Sequence, residues 1–395
     1  METWFSVMTH LLIHACAGWG KTQHIIDHCS QDVSEARRLI ITLTSSGQDE
    51  LVGRLRQVPG LSVTNLQISG WYKFLMDHVV RPYLPLVFPG QRMTGFIFDC
   101  GPYMEGLRYI SMDDPERYFN SEGMVYRVFL EELAAKVMVE AGGLVEYRLG
   151  RIYDEMIFDE VQDISRIGLD VIECLLKQRA VRCLLVGDSR QSVLDSSLAS
   201  RKNRAADRQK IIDWYRRFQN DGHLTIQEEC ETSRFNQKIA KFSDSIFPKE
   251  LGFCPTVSKM KERDSEESHE GVFLVAKEDI DAYCEKFSPK VLRNSRSSWG
   301  DQCILEPMNF GVSKGRTYSR VMILASKPIQ DFCLSNKVLK DKSACGFYVA
   351  VTRARHSVAI VVNKPRSKLE RLVPPGLSLW PPSESYTLFD LGAVT

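Results

Sequence analysis

The chain has 395 residues, 44% apolar and 26% charged, with a formal net charge of +1, which fits a soluble globular protein of two or three full domains. Near-neutral charge weighs against a simple DNA-coating protein, so a polyanion would have to bind a local patch, and no apolar run reaches the ~18 residues of a membrane span. The eleven cysteines include no Cys-x-x-Cys pair, which excludes a zinc finger; read as unpaired thiols, with no cleavable leader evident, they imply a reducing cytoplasm.

Leu11-Leu12-Ile13 predicts a strand, followed by the loop in "HACAGWGKTQHI" (14–25) and a helix from Thr22 to His28. Backbone N–H groups of a glycine-rich turn and a helix N-terminus together favour a polyphosphate. Lys21 would reach the β- and γ-phosphates and Thr22 would hold Mg²⁺; a plain strand-to-helix turn is the alternative. Leu39-Ile40-Ile41 predicts a second strand leading to Thr42, and Leu51 and Leu55 mark the helix after it. The aromatics of "SGWYKFL" (69–75) belong either to a ligand groove or to the core, and "RVFLEELAAKVMVE" (127–140) fits an amphipathic helix.

Met156-Ile157-Phe158 predicts a buried strand ending in Asp159-Glu160. Asp159 would hold the cation and Glu160 would polarise a water, unless the pair merely caps a helix. Cys183-Leu184-Leu185-Val186 is a further strand, ending in Gly187-Asp188. Residues 196–210 are polar and basic and read as an exposed loop or helix start, and "DWYRRF" (213–218) reads as a helix with one buried and one solvated face. Residues 257–270 read as a surface loop or linker. Strands at 272–275, 321–324 and 358–362 imply a second α/β domain, and Pro374-Pro375 and Pro381-Pro382 mark an irregular tail. Short apolar strands alternating with helices imply parallel, doubly wound sheets with ligands at the strands' carboxyl ends.

"DEVQD" (159–163) resembles motif II of the superfamily 1 helicases of the UvrD/Rep/PcrA type, and the rest of that set follows in order. "ACAGWGKT" (15–22) is similar to motif I, where Ala at the place of Ala15 is common. "TLTSSGQDELVGRL" (42–55) resembles motif Ia, "GDSRQS" (187–192) motif III and "ETSRFNQKIAKFSDSIFP" (231–248) motif IV. "FGVSKGRTYSRVMIL" (310–324) resembles motif V and "FYVAVTRARHSVAIV" (347–361) motif VI.

The resemblance implies two RecA-like parallel-sheet lobes with ATP between them: a first lobe over 1–225 with a small helical insertion at about 76–150, a second over 226–365 with its accessory subdomain reduced or absent, and a C-terminal tail over 366–395. It implies a nucleotide cradle of Ala17, Gly18, Gly20, Lys21, Thr22, Gly315 and Thr317, with Mg²⁺ on Thr22 and Asp159. Glu160 polarises the attacking water, Gln191 senses the γ-phosphate, and Arg234 and Arg353 stabilise charge on the transferred phosphoryl group as fixed planar cations do. Thr317 stands where the family often has Glu, which weakens the grip on the nucleotide sugar.

Thr42 and Ser45 sit where motif Ia contacts single-stranded DNA, and Lys314 is placed for a phosphate contact. Two stacking aromatics usual in the family are missing, at Leu43 and after Gln191; Trp71 or Tyr72 would replace them. The implied activity is that of an ATP-dependent DNA helicase or translocase moving 3′ to 5′ on single strands, in antiphage defence or DNA repair. The small size resembles the helicase-like subunit of Gabija-type antiphage systems, which implies a nuclease partner of the OLD/TOPRIM kind. The alternative is a nucleotide-sensing, DNA-binding regulatory subunit of a nuclease complex that does not unwind processively.

Overall fold

The predicted apolar runs form strands whose side chains are buried on both faces, as parallel sheets covered by helices require. The structure is a computed structural model described over residues 9–31, 36–59, 61, 64–98, 104–193, 211–261, 269–295, 299 and 305–381. Its described residues fall into two compact units. One takes the residues up to Ala15, then Lys21–Ser189, then those to Glu228; the other takes Cys16–Gly20, Arg190–Val193 and those from Glu229 onward.

In the first unit the strands are β1 (His10–Ala15), β2 (Arg38–Thr42), β3 (Leu66–Gly70), β4 (Gly95–Ile97), β5 (Met124–Tyr126), β6 (Glu155–Phe158), β7 (Arg182–Gly187) and β8 (Leu224–Glu229). Among the described residues, six of them make one sheet in the order β3-β2-β6-β7-β1-β8. Its ladders run parallel, with Ile40 opposite Ile157, Ile157 opposite Leu184, and Leu12 opposite Leu185. Every residue of β2 and β6 is buried. The order puts β7 between the strand that opens into the glycine loop and the strand that ends at the acidic pair.

Between β3 and β6 the described residues form helices around the β4–β5 pair. Trp71–Phe74 continues through a wider π-helical turn, Leu75–Val80, into Arg81–Val87. The expected helix over 127–140 forms as Arg127–Glu140, but it is more buried than an amphipathic helix: Val128, Phe129, Leu130, Glu131, Leu133, Ala134, Val137 and Met138 are all inside. Glu131 is carried into the core by its partners, the indole N–H of Trp71 at 2.6 Å and the hydroxyl of Ser165. The helix Ile211–Asn220 has the expected two faces, with Ile212, Trp214, Tyr215 and Phe218 buried. Residues 196–210 lie outside the described residues.

The second unit contains β9 (Glu231–Thr232), β10 (Val257–Ser258), β11 (Gly271–Ala276), β12 (Lys290–Arg293), β13 (Met308–Asn309), β14 (Tyr318–Leu324), β15 (Ala354–Val362) and β16 (Ser378–Trp380). Among the described residues its main sheet has six strands in the order β13-β12-β14-β15-β11-β16, paired in parallel. Alternation sends Val321, Ile323, Val358 and Ile360 to one apolar core and Met322, Leu324, Ala359 and Val361 to the other. The fold is thus the expected α/β class, two six-stranded parallel sheets with flanking helices. β16 lies in the segment read as irregular tail; Trp380 holds it there by packing on Tyr283 and Phe287.

The expectation of unpaired thiols is corrected at one place. Cys230 and Cys254 form a disulfide, while among the described residues Cys16, Cys29, Cys174, Cys183, Cys284, Cys333 and Cys345 remain thiols. The parallel pairing of β9 with β10 brings the two together, with the N–H of Val257 donating to the carbonyl of Cys230 at 2.8 Å. Among the described residues no helix is long and apolar enough to cross a membrane.

Candidate functional site

The loop after β1 turns through Gly18 (φ +82°) and Gly20 (φ +108°), and the helix Lys21–Gln31 starts at Lys21. Both φ values belong to the left-handed region that side chains resist. The result is a strand-to-helix turn whose first helical residues are Lys21 and Thr22, with free N–H groups of a helix N-terminus behind them. Among the described residues no carboxylate pairs with Lys21, which is half-buried.

In the same unit Asp159 follows β6 directly and is buried, anchored by its N–H on the carbonyl of Ile41 at 2.9 Å. Glu160 adopts a left-handed backbone (φ 56°), and its N–H donates to Asp159 Oδ1 at 2.9 Å. A non-glycine residue in that region costs ~1–3 kcal/mol and turns up disproportionately at functional sites. Gln162 joins this turn to the end of β7. Its Nε2 donates to the Glu160 carboxylate, and its Oε1 accepts the N–H of Asp188 at 3.0 Å. Gly187 makes room: a Cβ there would lie 2.5 Å from Gln162 Oε1 and 2.8 Å from Val161 Cγ2. Next along, Ser189 Oγ and His14 Nε2 are 2.9 Å apart.

Thr42 is buried and its hydroxyl donates to the carbonyl of Thr44 at 3.3 Å. Ser45 is exposed at the first position of the helix Ser45–Leu55, which Thr44 caps by accepting the N–H of Gly47. Tyr72 is half-buried. Trp71 is withdrawn as a base contact, because it is 2% exposed, bonded to Glu131 and packed against Phe74 and Phe158. A ring with no open face cannot stack on a base.

The second unit contains its own part of the motif set. The loop residues Cys16–Gly20 are gripped there: Cys16 N–H donates to the carbonyl of Glu229 at 2.8 Å, Ala17 N–H to the Tyr348 hydroxyl at 3.3 Å, and Ser233 N–H to the carbonyl of Gly18 at 3.1 Å. A Cβ on Gly18 would lie 2.4 Å from Thr232 Oγ1 and 2.5 Å from Arg234 Cβ. Arg234 is half-buried, its N–H on Thr232 Oγ1 at 3.2 Å and its Nη1 3.5 Å from the carbonyl of Thr352.

Arg353 is 1% exposed. It donates through Nε to the carbonyl of Val349 (3.0 Å), through Nη1 to that of Arg316 (3.3 Å) and through Nη2 to Gln191 Oε1 (3.0 Å). Arg190 beside Gln191 is also buried; its guanidinium lies 5.1 Å from the Tyr348 ring centre and 5.4 Å from that of Phe253, and Asp244 pairs with it at 3.6 Å. Lys314 and Thr317 are half-buried and flank Gly315 (φ +81°) in a turn before β14. No atom lies within 4 Å of a Cβ placed on Gly315, so the backbone angle, not crowding, calls for glycine there.

Gln162 in the first unit, and Arg190 and Tyr348 in the second, make contacts to motif residues that sequence reasoning passed over. All three stand inside the quoted motifs, but the signal there singled out neighbours. No protein-family model matches the chain, and no curated protein matches it. Solved structures similar to it include that of the PRRSV helicase, 14% identical with a TM-score of 0.45, covering 93% of this chain and 55% of that one. Another is the arterivirus nonstructural protein 10 helicase in complex with DNA, 15% identical with a TM-score of 0.43, covering 92% of this chain and 63% of that one. The chain spans less than two thirds of the length of either.

Proposed function

We propose that the chain is a nucleoside-triphosphate-driven motor of the superfamily 1 helicase type, hydrolysing ATP with Mg²⁺ to move on single-stranded DNA in the 3′ to 5′ direction. The observation that carries this reading is the pairing, in one sheet, of a glycine turn ending in Lys21-Thr22 with the acidic turn Asp159-Glu160, their strands on either side of β7. Such a pairing at strand ends is the arrangement that phosphate and a hard cation require.

The donor set fits the cation. Thr22 and Asp159 offer hydroxyl and carboxylate oxygens, the hard ligands Mg²⁺ takes alongside phosphate and water. When bound, the cation neutralises charge that builds on the phosphoryl oxygens. Lys21 binds the β- and γ-phosphates, with Ala17, Gly18 and Gly20 shaping the turn in front of it. Glu160 accepts the proton of the attacking water, and Gln162 holds its carboxylate in place. Arg353 and Arg234 supply planar cations for the transition-state charge, and Gln191 orients Arg353. Gly315 and Thr317 serve the nucleotide sugar side. Thr42, Ser45, Tyr72 and Lys314 serve the strand.

The test is ATP turnover with Mg²⁺ in the presence and absence of a single-stranded oligonucleotide. The motor reading expects strong stimulation by the strand, and abolition by Lys21→Ala; hydrolysis retained in that variant would reject the loop assignment. Glu160→Gln is expected to bind nucleotide and not turn it over. A second reading, a nucleotide-sensing regulatory subunit of a nuclease complex in antiphage defence or DNA repair, is favoured by the burial of Trp71, which removes a stacking group. Turnover indifferent to the strand, with an OLD/TOPRIM-type nuclease copurifying, would select it.

A further inference from the structure

Three elements of the first unit bring a group of rings and a guanidinium to one place outside the hydrolytic residues. Tyr72 is the second residue of the helix that follows β3. Phe96 lies in β4 and Phe98 directly after it. Arg127 opens the helix Arg127–Glu140 immediately after β5. The β4–β5 ladder sets their spacing, with Phe96 opposite Val125 and Ile97 opposite Tyr126.

The rings support one another. Tyr72 and Phe96 have centres 5.7 Å apart, Phe96 and Phe98 6.0 Å, and Tyr72 and Phe98 6.4 Å. The Arg127 guanidinium lies 4.6 Å from the centre of Phe98 and 5.9 Å from that of Tyr72. Its Nε donates to the carbonyl of Phe98 at 3.1 Å and its Nη1 to the Tyr72 hydroxyl at 3.4 Å, so its plane is held over the rings.

Two costs are left standing there. Phe98 is 63% exposed, a large ring left in water. Arg127 has no carboxylate partner among the described residues, and its helix has no acidic residue in the first turn. It therefore adds a positive charge to the positive end of a helix dipole, where an anion is favoured. A ligand that relieves both costs presents a flat π face and a negative charge a short distance away.

We propose that Tyr72, Phe98 and Arg127 form a stacking site for unpaired bases of single-stranded nucleic acid, with Phe96 as its backing. The proposal rests on the reading of the chain as a nucleic-acid motor and names where the strand is held. A base stacks on the Phe98 ring and the adjoining phosphate meets Arg127, the pairing of aromatic and basic groups that sequence-tolerant strand binding uses. Paired bases would have no face to offer, so duplex is excluded from the site. The charge complementarity of Arg127 favours a polyanion over an apolar peptide.

The experiment measures binding of a fluorescent oligothymidylate, the matching RNA strand and an abasic strand of equal length to the full chain and its variants. Phe98→Ala is expected to weaken the base-bearing strands about 5- to 150-fold and the abasic strand little. Arg127→Ala is expected to weaken all strands and lower the salt slope by about 1. Tyr147→Ala, which removes another exposed ring, on the helix Leu144–Ile152, is the control expected to bind as the parent. Unchanged melting temperatures show that each variant folds. A Phe98→Ala variant that binds oligothymidylate like the parent overturns the site while leaving the motor reading intact. A parent chain that hydrolyses ATP but binds no strand overturns both, and equal losses on base-bearing and abasic strands would reject stacking.

Discussion

Arg353 donates through Nη2 to the side-chain oxygen of Gln191 at 3.0 Å, and both residues are buried. With two backbone carbonyls taking its other nitrogens, the guanidinium is fixed before any substrate arrives. Arg353→Lys keeps the charge and loses the fork, and ATP turnover is expected to fall by about 10³-fold or more, as for loss of an arginine finger. Gln191→Ala is expected to lower turnover by less, and the two changes together to cost less than their sum because they act through one contact. Steady-state rates for the two single variants and the double variant check this; additive losses would separate the residues.

Gly18→Ala is expected to destabilise the chain by about 1–3 kcal/mol from its backbone angle alone. A further loss comes from the Cβ, placed 2.4 Å from Thr232 Oγ1 and 2.5 Å from Arg234 Cβ, so nucleotide affinity should fall with stability. The paired control is Gly53→Ala in the helix Ser45–Leu55, where nothing lies within 4 Å of a new Cβ. That change should stabilise by about 0.5–1 kcal/mol. Urea denaturation and binding of a fluorescent nucleotide analogue read both.

The Cys230–Cys254 bridge closes a stretch with a sequence separation of 24. By the chain-entropy estimate it contributes about 3.5 kcal/mol. Cys230→Ser is expected to lower the denaturation midpoint under oxidising conditions and to match the parent once a thiol reductant is present. A difference that persists in reductant would assign the effect to packing at Cys230.

His269 is stacked between Phe273 and Phe287, with ring centres 3.9 and 4.1 Å away, and its Nε2 meets the Tyr283 hydroxyl at 2.9 Å. Burial, and then the charges of Arg320 and Lys286, lower its pKa from 6.5 to about 4. The folded chain therefore binds this proton less readily than the unfolded chain. Stability from this residue is full above pH 6.5 and is lost as pH falls from 6.5 towards 4. His269→Phe should flatten that part of the stability profile, as measured by urea midpoints across the range; an unchanged slope would place the proton elsewhere.

Much of the fold was legible because its strands are short apolar runs buried on both faces, as at Leu39-Ile40-Ile41 and Val321–Leu324, and apolar runs announce themselves. The helix Arg127–Glu140 was legible in its bounds but not in its depth. Its burial depends on Glu131 finding the Trp71 indole, a partner far off in the chain that no local period reveals. The same bond misled the reading of Trp71, whose basic and aromatic surroundings suited a binding groove equally well. The disulfide was invisible because Cys230 and Cys254 meet through the β9–β10 pairing, with no characteristic spacing. Within the site, motif residues that carry charge stood out, while Gln162 and Tyr348, which position others, did not.

The missing side chain at Gly187 gives the amide of Gln162 a double attachment, to the tip of one strand and to the carboxylate beyond the next. Gln162 thus works as a rigid strut between Asp188 and Glu160. Any displacement at the tip of β7 would be transmitted to the Glu160 carboxylate, so under the proposed function the timing of hydrolysis would be sensitive to a strain that never touches the nucleotide.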